Sequence, residues 1–233
     1  MISRLFIGLL LIFTVLLSFY YNLDYILLSI LVTLISYDLY KTKILRIYVL
    51  FILLLIFCLC LFIPIVILSH AYILIIFFTI LIIFNHKFKT EFFSISIYIF
   101  CIILFYFIEV NRNTLYLLIL LSFFNDTVAY IAGRFIGGPL IIPKISPKKT
   151  WSGSLISFFM TSIFLYNLNF NIFILVIISS LFFFGDIFFS YIKRQMRVKD
   201  FSNILGGHGG ILDRLDSMFF VAIVLQIYLV FIK

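Results

Sequence analysis

Apolar runs about as long as a bilayer is thick dominate this chain and leave few folds open to it. A hydrocarbon core takes roughly 20 apolar residues per helix. On that measure nine segments qualify: 5–21, 24–39, 45–63, 66–85, 92–109, 114–132, 152–166, 171–192 and 213–232. With 65% hydrophobic and only 11% charged residues, the chain lacks the polar side chains to cover a water-exposed surface. The expected fold class is therefore all-α, a polytopic transmembrane bundle of about nine helices. Pro64 separates what would otherwise be one long run, so it sets the boundary between helices three and four. No linker, repeat or low-complexity tract interrupts the chain. It reads as one membrane domain, 1–233, with an N-terminal helical region (1–110) and a C-terminal region with two cytoplasmic loops (111–233).

Charge asymmetry orients this bundle. With the N-terminus cytoplasmic, the inside segments carry 15 of the 17 Lys and Arg residues, and only Arg112 and Lys233 fall outside. Excess cations mark the cytoplasmic side, so the expected topology is N-inside and C-outside. The net charge of +8 then reflects topology and an anionic lipid surface, not nucleic acid. Cys58, Cys60 and Cys101 are too few and too apolar in setting for a disulfide framework or zinc site. Arg4 precedes the first run and no small-residue cleavage site follows it, which reads as a retained helix. Asp24, Asp38, Glu91 and Glu109 lie near helix ends and are expected to be solvated, with His70 and His86 interfacial.

Against this background the 27 residues Ser190–Asp216 stand out, because eight of them are charged. A polar island beside membrane-length segments is costly near lipid and marks a functional site. Ser190, Lys193, Arg194 and Arg197 recur at helical spacing and should share one face. Glycine pairs 206–207 and 209–210 flank His208, which suits a sharp turn that offers backbone N–H groups to an anion. Asp213 and Asp216 follow three residues apart. Cations, backbone donors and paired carboxylates together suit a nucleotide phosphate chain with its metal. Simpler roles stand beside these: Arg197 as a membrane anchor, Asp213 as a helix cap.

The order S-x-x-K-R, K-D, H-G-G-x-x-D-R-x-D resembles the signature of phosphatidate cytidylyltransferases, also called CDP-diacylglycerol synthases. Its residues here are Ser190, Lys193-Arg194, Lys199-Asp200, His208-Gly209-Gly210, Asp213-Arg214 and Asp216, with every spacing kept. A second match is P-K-I-S-P-K-K-T-W-S-G, containing Lys144, Ser146, Lys148 and Lys149, with Ser152 where Glu or Gln is common. Trp151 in this segment reads as an interfacial anchor. Asp126-x-x-Ala-Tyr and Gly185-Asp186 also resemble family motifs, though Phe189 stands where the family has Glu. Asp126 is equally readable as a structural partner of Arg134.

The resemblance implies transfer of a cytidylyl group from CTP to phosphatidate at the cytoplasmic face of the inner membrane. It implies a catalytic set of Asp186, Lys193, Arg194, His208 and Asp213. Mg²⁺ would be held by Asp186, Asp213 and Asp216. Substrate would be bound by Lys144, Ser146, Lys148, Lys149, Ser190, Lys199, Gly209, Gly210 and Arg214. Partners would be CTP, phosphatidate and membrane lipids, with a homodimer left open. Two other classes remain: a CTP-dependent polyprenol or phytol kinase, and an ion-coupled transporter using Asp126 and Asp186. A transporter would need charges in both leaflets, whereas these cluster towards one side.

Overall fold

The computed structural model describes residues 2–42, 90–206 and 209–231. Among them lie seven helices: α1 (Ile2–Tyr20), α2 (Asp24–Lys41), α3 (Thr90–Ile136), α4 (Trp151–Asn167), α5 (Ile172–Gln195), α6 (Leu212–Leu215) and α7 (Phe219–Phe231). No strand occurs among the described residues, only an isolated antiparallel bridge between Leu140 and Thr150. The segments 45–63 and 66–85 and the division at Pro64 lie outside them, as do Cys58, Cys60, His70 and His86. Among the described residues two helices, α3 from Phe93 onward and α5, are long and apolar enough to cross a membrane.

Helix ends follow from a few residues. Asn22, Asn169 and Arg197 take left-handed φ values of 57°, 61° and 57° after α1, α4 and α5. Each is followed by the paired backbone bonds that close a helix C-terminus; after α5 these are Val198 N to Lys193 O at 3.0 Å and Arg197 N to Arg194 O at 3.0 Å. Asn tolerates this conformation readily. An arginine there adopts it at a cost of about 1 kcal/mol. Thr150 caps α4 by accepting from Gly153 N, and Asn171 caps α5 by accepting from Phe173 N.

One break falls where the sequence places it, and one segment differs from the sequence expectation. Helix α3 is broken at Asn111 (φ −162°, ψ 94°), between the predicted 92–109 and 114–132. The Asn111 side chain accepts from Asn113 N at 3.1 Å and restarts the helix. The predicted helix 213–232 is instead the single turn α6 followed by α7. Three-residue turns, Met218 N to Leu215 O and Phe219 N to Asp216 O, separate the two, so Asp216 and Ser217 stand outside regular helix.

The chain forms two compact units. The first comprises residues 1–116, 200–213 and 226–233. Here α2 buries Leu28, Val32, Ile35 and Leu39 along one stripe. Polar ties add to it: Ser36 Oγ lies 2.9 Å from Tyr98 Oη and Ser18 Oγ 3.1 Å from Tyr116 Oη. Asp24 is buried rather than solvated, paired with Arg112 at 3.3 Å and accepting from Tyr116 Oη. The expectation for Asp24 therefore fails, because Arg112 lies across from it on α3 and its guanidinium makes burial affordable. Glu109 is exposed, as expected.

The second unit comprises residues 117–199 and 214–225. Helices α4 and α5 pack on one another, with Ser162 donating to Ser179 at 2.9 Å. Small residues let backbones meet. A Cβ on Gly153 would stand 2.5 Å from Ala129 O and 3.2 Å from Gly133 Cα, so α4 lies against α3 only because both are glycine. Large apolar side chains such as Leu155, Phe159, Ile163 and Phe184 remain on the outside of these helices. Helices apolar on both their packed and outer faces suit a membrane surround.

Candidate active site

The segment between α3 and α4 folds back on itself. Gly137 (φ 68°) ends α3 with a bond from its N–H to Gly133 O. Ile141 N to Lys149 O (3.0 Å) and Trp151 N to Pro139 O (3.1 Å) then close the loop, and Ser152 Oγ donates to Gly137 O. Lys144 and Lys148 are left exposed and Lys149 is half-buried. Trp151 is also exposed, its ring 6.3 Å from that of Phe183.

Lys149 is the point where this loop meets α5. Its Nζ pairs with the Asp186 carboxylate and donates to Asp186 O at 3.0 Å and to Ser190 Oγ at 3.1 Å. Arg194 makes a second tie, donating from Nε to Ile145 O at 2.9 Å and from Nη1 to Val198 O at 3.2 Å. The sequence-predicted face of Ser190, Lys193, Arg194 and Arg197 is thus only partly realised. Ser190 and Lys193 are buried, whereas Arg194 is exposed and holds loop carbonyls. Arg197 falls beyond the helix end at Gln195, where its left-handed φ turns it off the stripe.

A second pair forms deeper. Lys193 Nζ lies 3.5 Å from Asp216 Oδ2, with the two side chains 11% and 4% exposed. Gly185 explains how α5 reaches Asp216: a Cβ there would stand 2.7 Å from Ser217 O and 2.8 Å from Asp216 O. Ser122 on α3 fastens the same stretch, lying 2.7 Å from Ser217 Oγ and donating to Arg214 O at 3.1 Å. Within this unit Asp126 interacts electrostatically with Asp186, Asp216, Arg214 and Lys149. Arg134 bonds the Tyr130 hydroxyl at 3.2 Å. Phe189 is fully buried, its ring 5.4 Å from that of Phe219.

In the first unit, Asp213 Oδ2 accepts from Phe201 N (2.9 Å) and Gly210 N (2.8 Å). Gly206 (φ 57°) and Gly209 (φ 81°) take the left-handed backbone that the glycine pairs suggested. His208 and Gly207 lie outside the described residues, and Lys199 and Asp200 are exposed. Sequence reasoning missed Asp38. Its side chain has no exposed surface, and its carboxylate accepts from Ser202 Oγ at 2.6 Å and Leu212 N at 2.9 Å. The expectation that Asp38 is solvated fails because the segment after Lys199 covers it. The only sequence signal was an acidic residue one turn inside an apolar helix.

Among the described residues, no three His, Cys, Asp or Glu side chains converge closely enough to form a metal cage by themselves. What the second unit does assemble is a set of carboxylates paired with ammonium groups at the end of a membrane-length helix. Such an arrangement can hold phosphates and the cation that accompanies them.

Comparison with known proteins agrees with this chemistry. The chain matches the model of the Cytidylyltransferase family over residues 1–232. It is 41% identical to a phosphatidate cytidylyltransferase of Rickettsia bellii, over 43% of this chain and 50% of that protein. It is 35% identical to that of Aquifex aeolicus, over 59% of this chain and 55% of the other, and 39% identical to that of Helicobacter pylori, over 46% and 45%. These alignments span about half the length of each relative. Since the family match runs through both units and every motif described above, the chain belongs to the cytidylyltransferase family.

Proposed function

We propose that this protein transfers the cytidylyl group of CTP to phosphatidate, giving CDP-diacylglycerol and pyrophosphate for phospholipid synthesis. The observation that carries the reading is the pair of lysine–carboxylate contacts on α5, Lys149 with Asp186 and Lys193 with Asp216, in a chain of this family. A phosphatidate oxygen attacks the α-phosphorus of CTP. The new P–O bond forms as the bond from that phosphorus to the bridging oxygen of the β-phosphate breaks, and pyrophosphate leaves with the electron pair. No covalent enzyme intermediate is required.

Each residue has a task in that reaction. Lys149 and Lys193 exchange carboxylate oxygens for phosphate oxygens and neutralise them. The exposed Lys144 and Lys148, with Ser146, draw the nucleotide towards the loop, and Lys199 and Arg214 add to the positive field. Arg194 positions the loop through Ile145 O. Ser190 orients the Lys149 ammonium. By the motif resemblance His208, Gly209 and Gly210 would also serve the phosphate chain, although the Gly210 and Gly209 amides are given to Asp213 Oδ2 and Gly206 O.

Asp186 and Asp216 suit Mg²⁺. They are hard oxygen donors, and each already attracts a cation in the form of a lysine ammonium. Mg²⁺ is ordinarily held by one or two carboxylates together with substrate phosphates, so a complete protein cage is not needed. Bound there, the ion would supply charge neutralisation for the departing pyrophosphate. Asp126 contributes to the same negative field. Asp213, with one oxygen given to two backbone amides, serves the loop's shape.

The membrane-length helices and the 15-to-2 division of basic residues support a site at the cytoplasmic face of the inner membrane, where a soluble nucleotide meets a lipid head group. The test is incubation of the purified protein with phosphatidate and CTP labelled either in cytosine or at the γ-phosphate. Cytosine label should enter the lipid and γ-label should leave as pyrophosphate. Transfer of the γ-label to lipid would establish a kinase instead.

A further inference from the structure

We propose that Asp38 is a positioning residue for the glycine loop, acting from α2 on a segment more than 160 positions away in sequence. Its carboxylate is wholly buried, and both oxygens are used. Oδ1 accepts from Ser202 Oγ at 2.6 Å, and Oδ2 accepts from Leu212 N at 2.9 Å. Ser202 Oγ accepts in turn from Ile204 N at 3.3 Å. A burial this complete is costly for a carboxylate unless donors surround it, and one segment of chain supplies these donors.

The same carboxylate explains Gly210. Its φ lies outside the left-handed region, so backbone conformation does not call for glycine there. A Cβ on Gly210 would instead fall onto the Asp38 carboxylate, within 2.8 Å of each of its oxygens. Gly210 N is held separately by Asp213 Oδ2, which also holds Phe201 N. Two carboxylates thus grip the segment at both ends: Asp38 at Ser202 and Leu212, Asp213 at Phe201 and Gly210. Between the grips stand Gly206 and Gly209, both in left-handed backbone that an unrestrained glycine would leave freely. Asp38 limits that freedom and fixes the path of the chain between Ser202 and Leu212 before any ligand arrives.

What the loop binds rests on the cytidylyltransferase reading; that Asp38 holds it does not. The experiment therefore uses two readouts on the full-length protein in detergent: amide exchange over 201–212, and steady-state kinetics with CTP and phosphatidate varied separately. In Asp38→Ala, one lost acceptor for a buried N–H should speed exchange at Gly210 and Leu212 by about tenfold and raise KM for CTP by about tenfold, with KM for phosphatidate within about twofold. Asp38→Asn keeps one acceptor and should recover part of both effects. Ser202→Ala, a milder change, should shift both readouts in the same direction and carries the test if Asp38→Ala does not insert. Unchanged exchange in these variants would overturn the assignment, as would a fall in kcat alone with KM for CTP unaltered. Loosened exchange in the variants, beside a wild-type protein that turns over no CTP, would support the positioning role and overturn the cytidylyltransferase reading.

Discussion

Substituting Gly185 by alanine tests whether the close approach of α5 to Asp216 and Ser217 is what sets the site. The added Cβ would stand 2.7 Å from Ser217 O and 2.8 Å from Asp216 O. Carbon–oxygen contacts of this kind settle near ~3.3 Å, so the two backbones must part by roughly 0.5 Å. Overpacking of that size costs about 1–3 kcal/mol, within the margin that leaves a protein folded. The functional cost is larger than the stability cost. Asp186 is the next residue on α5 and Asp216 lies directly opposite, while Lys193 Nζ already reaches Asp216 at 3.5 Å. A shift of half an ångström removes that contact and misplaces both carboxylates. Since a displacement near 1 Å costs about 10²-fold in rate, half of it should lower kcat about tenfold. The assay is cytosine-label transfer to lipid by protein that still elutes as a single species in detergent. Gly153→Ala is the comparison, because its Cβ would meet Ala129 O at 2.5 Å between α4 and α3 and touches neither Asp186 nor Asp216. It should reduce thermal stability more than turnover. A folded Gly185→Ala protein with wild-type kcat would refute the reasoning.

Lys149→Ala frees the loop from Asp186 and Ser190, and label transfer should fall by roughly 10²-fold, the loss expected for one transition-state donor. Asp186→Asn keeps the side-chain volume but not the charge; label transfer should approach background at every Mg²⁺ concentration tried, and full activity would exclude Asp186 as a ligand. Arg197→Gly relieves the left-handed backbone at the end of α5 and should raise stability by about 1 kcal/mol in thermal melts, with turnover unchanged. Phe189→Glu places a carboxylate against the Phe219 ring in a fully buried position, so the protein should lose several kcal/mol of stability, and a gain in label transfer would contradict the assignment of Asp186 and Asp216 as sufficient.

Helices were legible in this sequence because their signal is local. Residues 152–166 and 171–192 were read from apolar length and appear as Trp151–Asn167 and Ile172–Gln195, each ended by the caps that Thr150, Asn169, Asn171 and Arg197 provide. The break between α6 and α7 was not legible. Leu212 to Phe231 carries no proline or glycine, and apolar periodicity alone extends straight through it. What interrupts the helix is tertiary: Ser122 holding Ser217 and Arg214 O, and Gly185 admitting the carbonyls of Asp216 and Ser217. Arg197 misled for a related reason. Spacing placed it on the α5 stripe, yet spacing cannot reveal the residue at which a helix stops.

Charged residues divide in the same way. Motif spacing brought out Asp186, Lys193 and Asp216, and the structure adds which lysine answers which carboxylate. Asp24 and Asp38 look alike in sequence, both acidic and both near an end of the same apolar segment, and both were expected in water. Folding gives them different partners. Asp24 meets a guanidinium and a phenol, Arg112 and Tyr116, so its charge is balanced by another charge. Asp38 meets a hydroxyl and a backbone amide from a segment that carries two of the motif glycines. The first arrangement ties helix to helix and would survive exchange for an apolar pair of matching volume. The second cannot be replaced so simply, because the amide of Leu212 would remain buried with its acceptor gone. A carboxylate that satisfies backbone donors constrains the path of a loop, and in this chain that loop is the one bearing Gly209, Gly210 and Asp213.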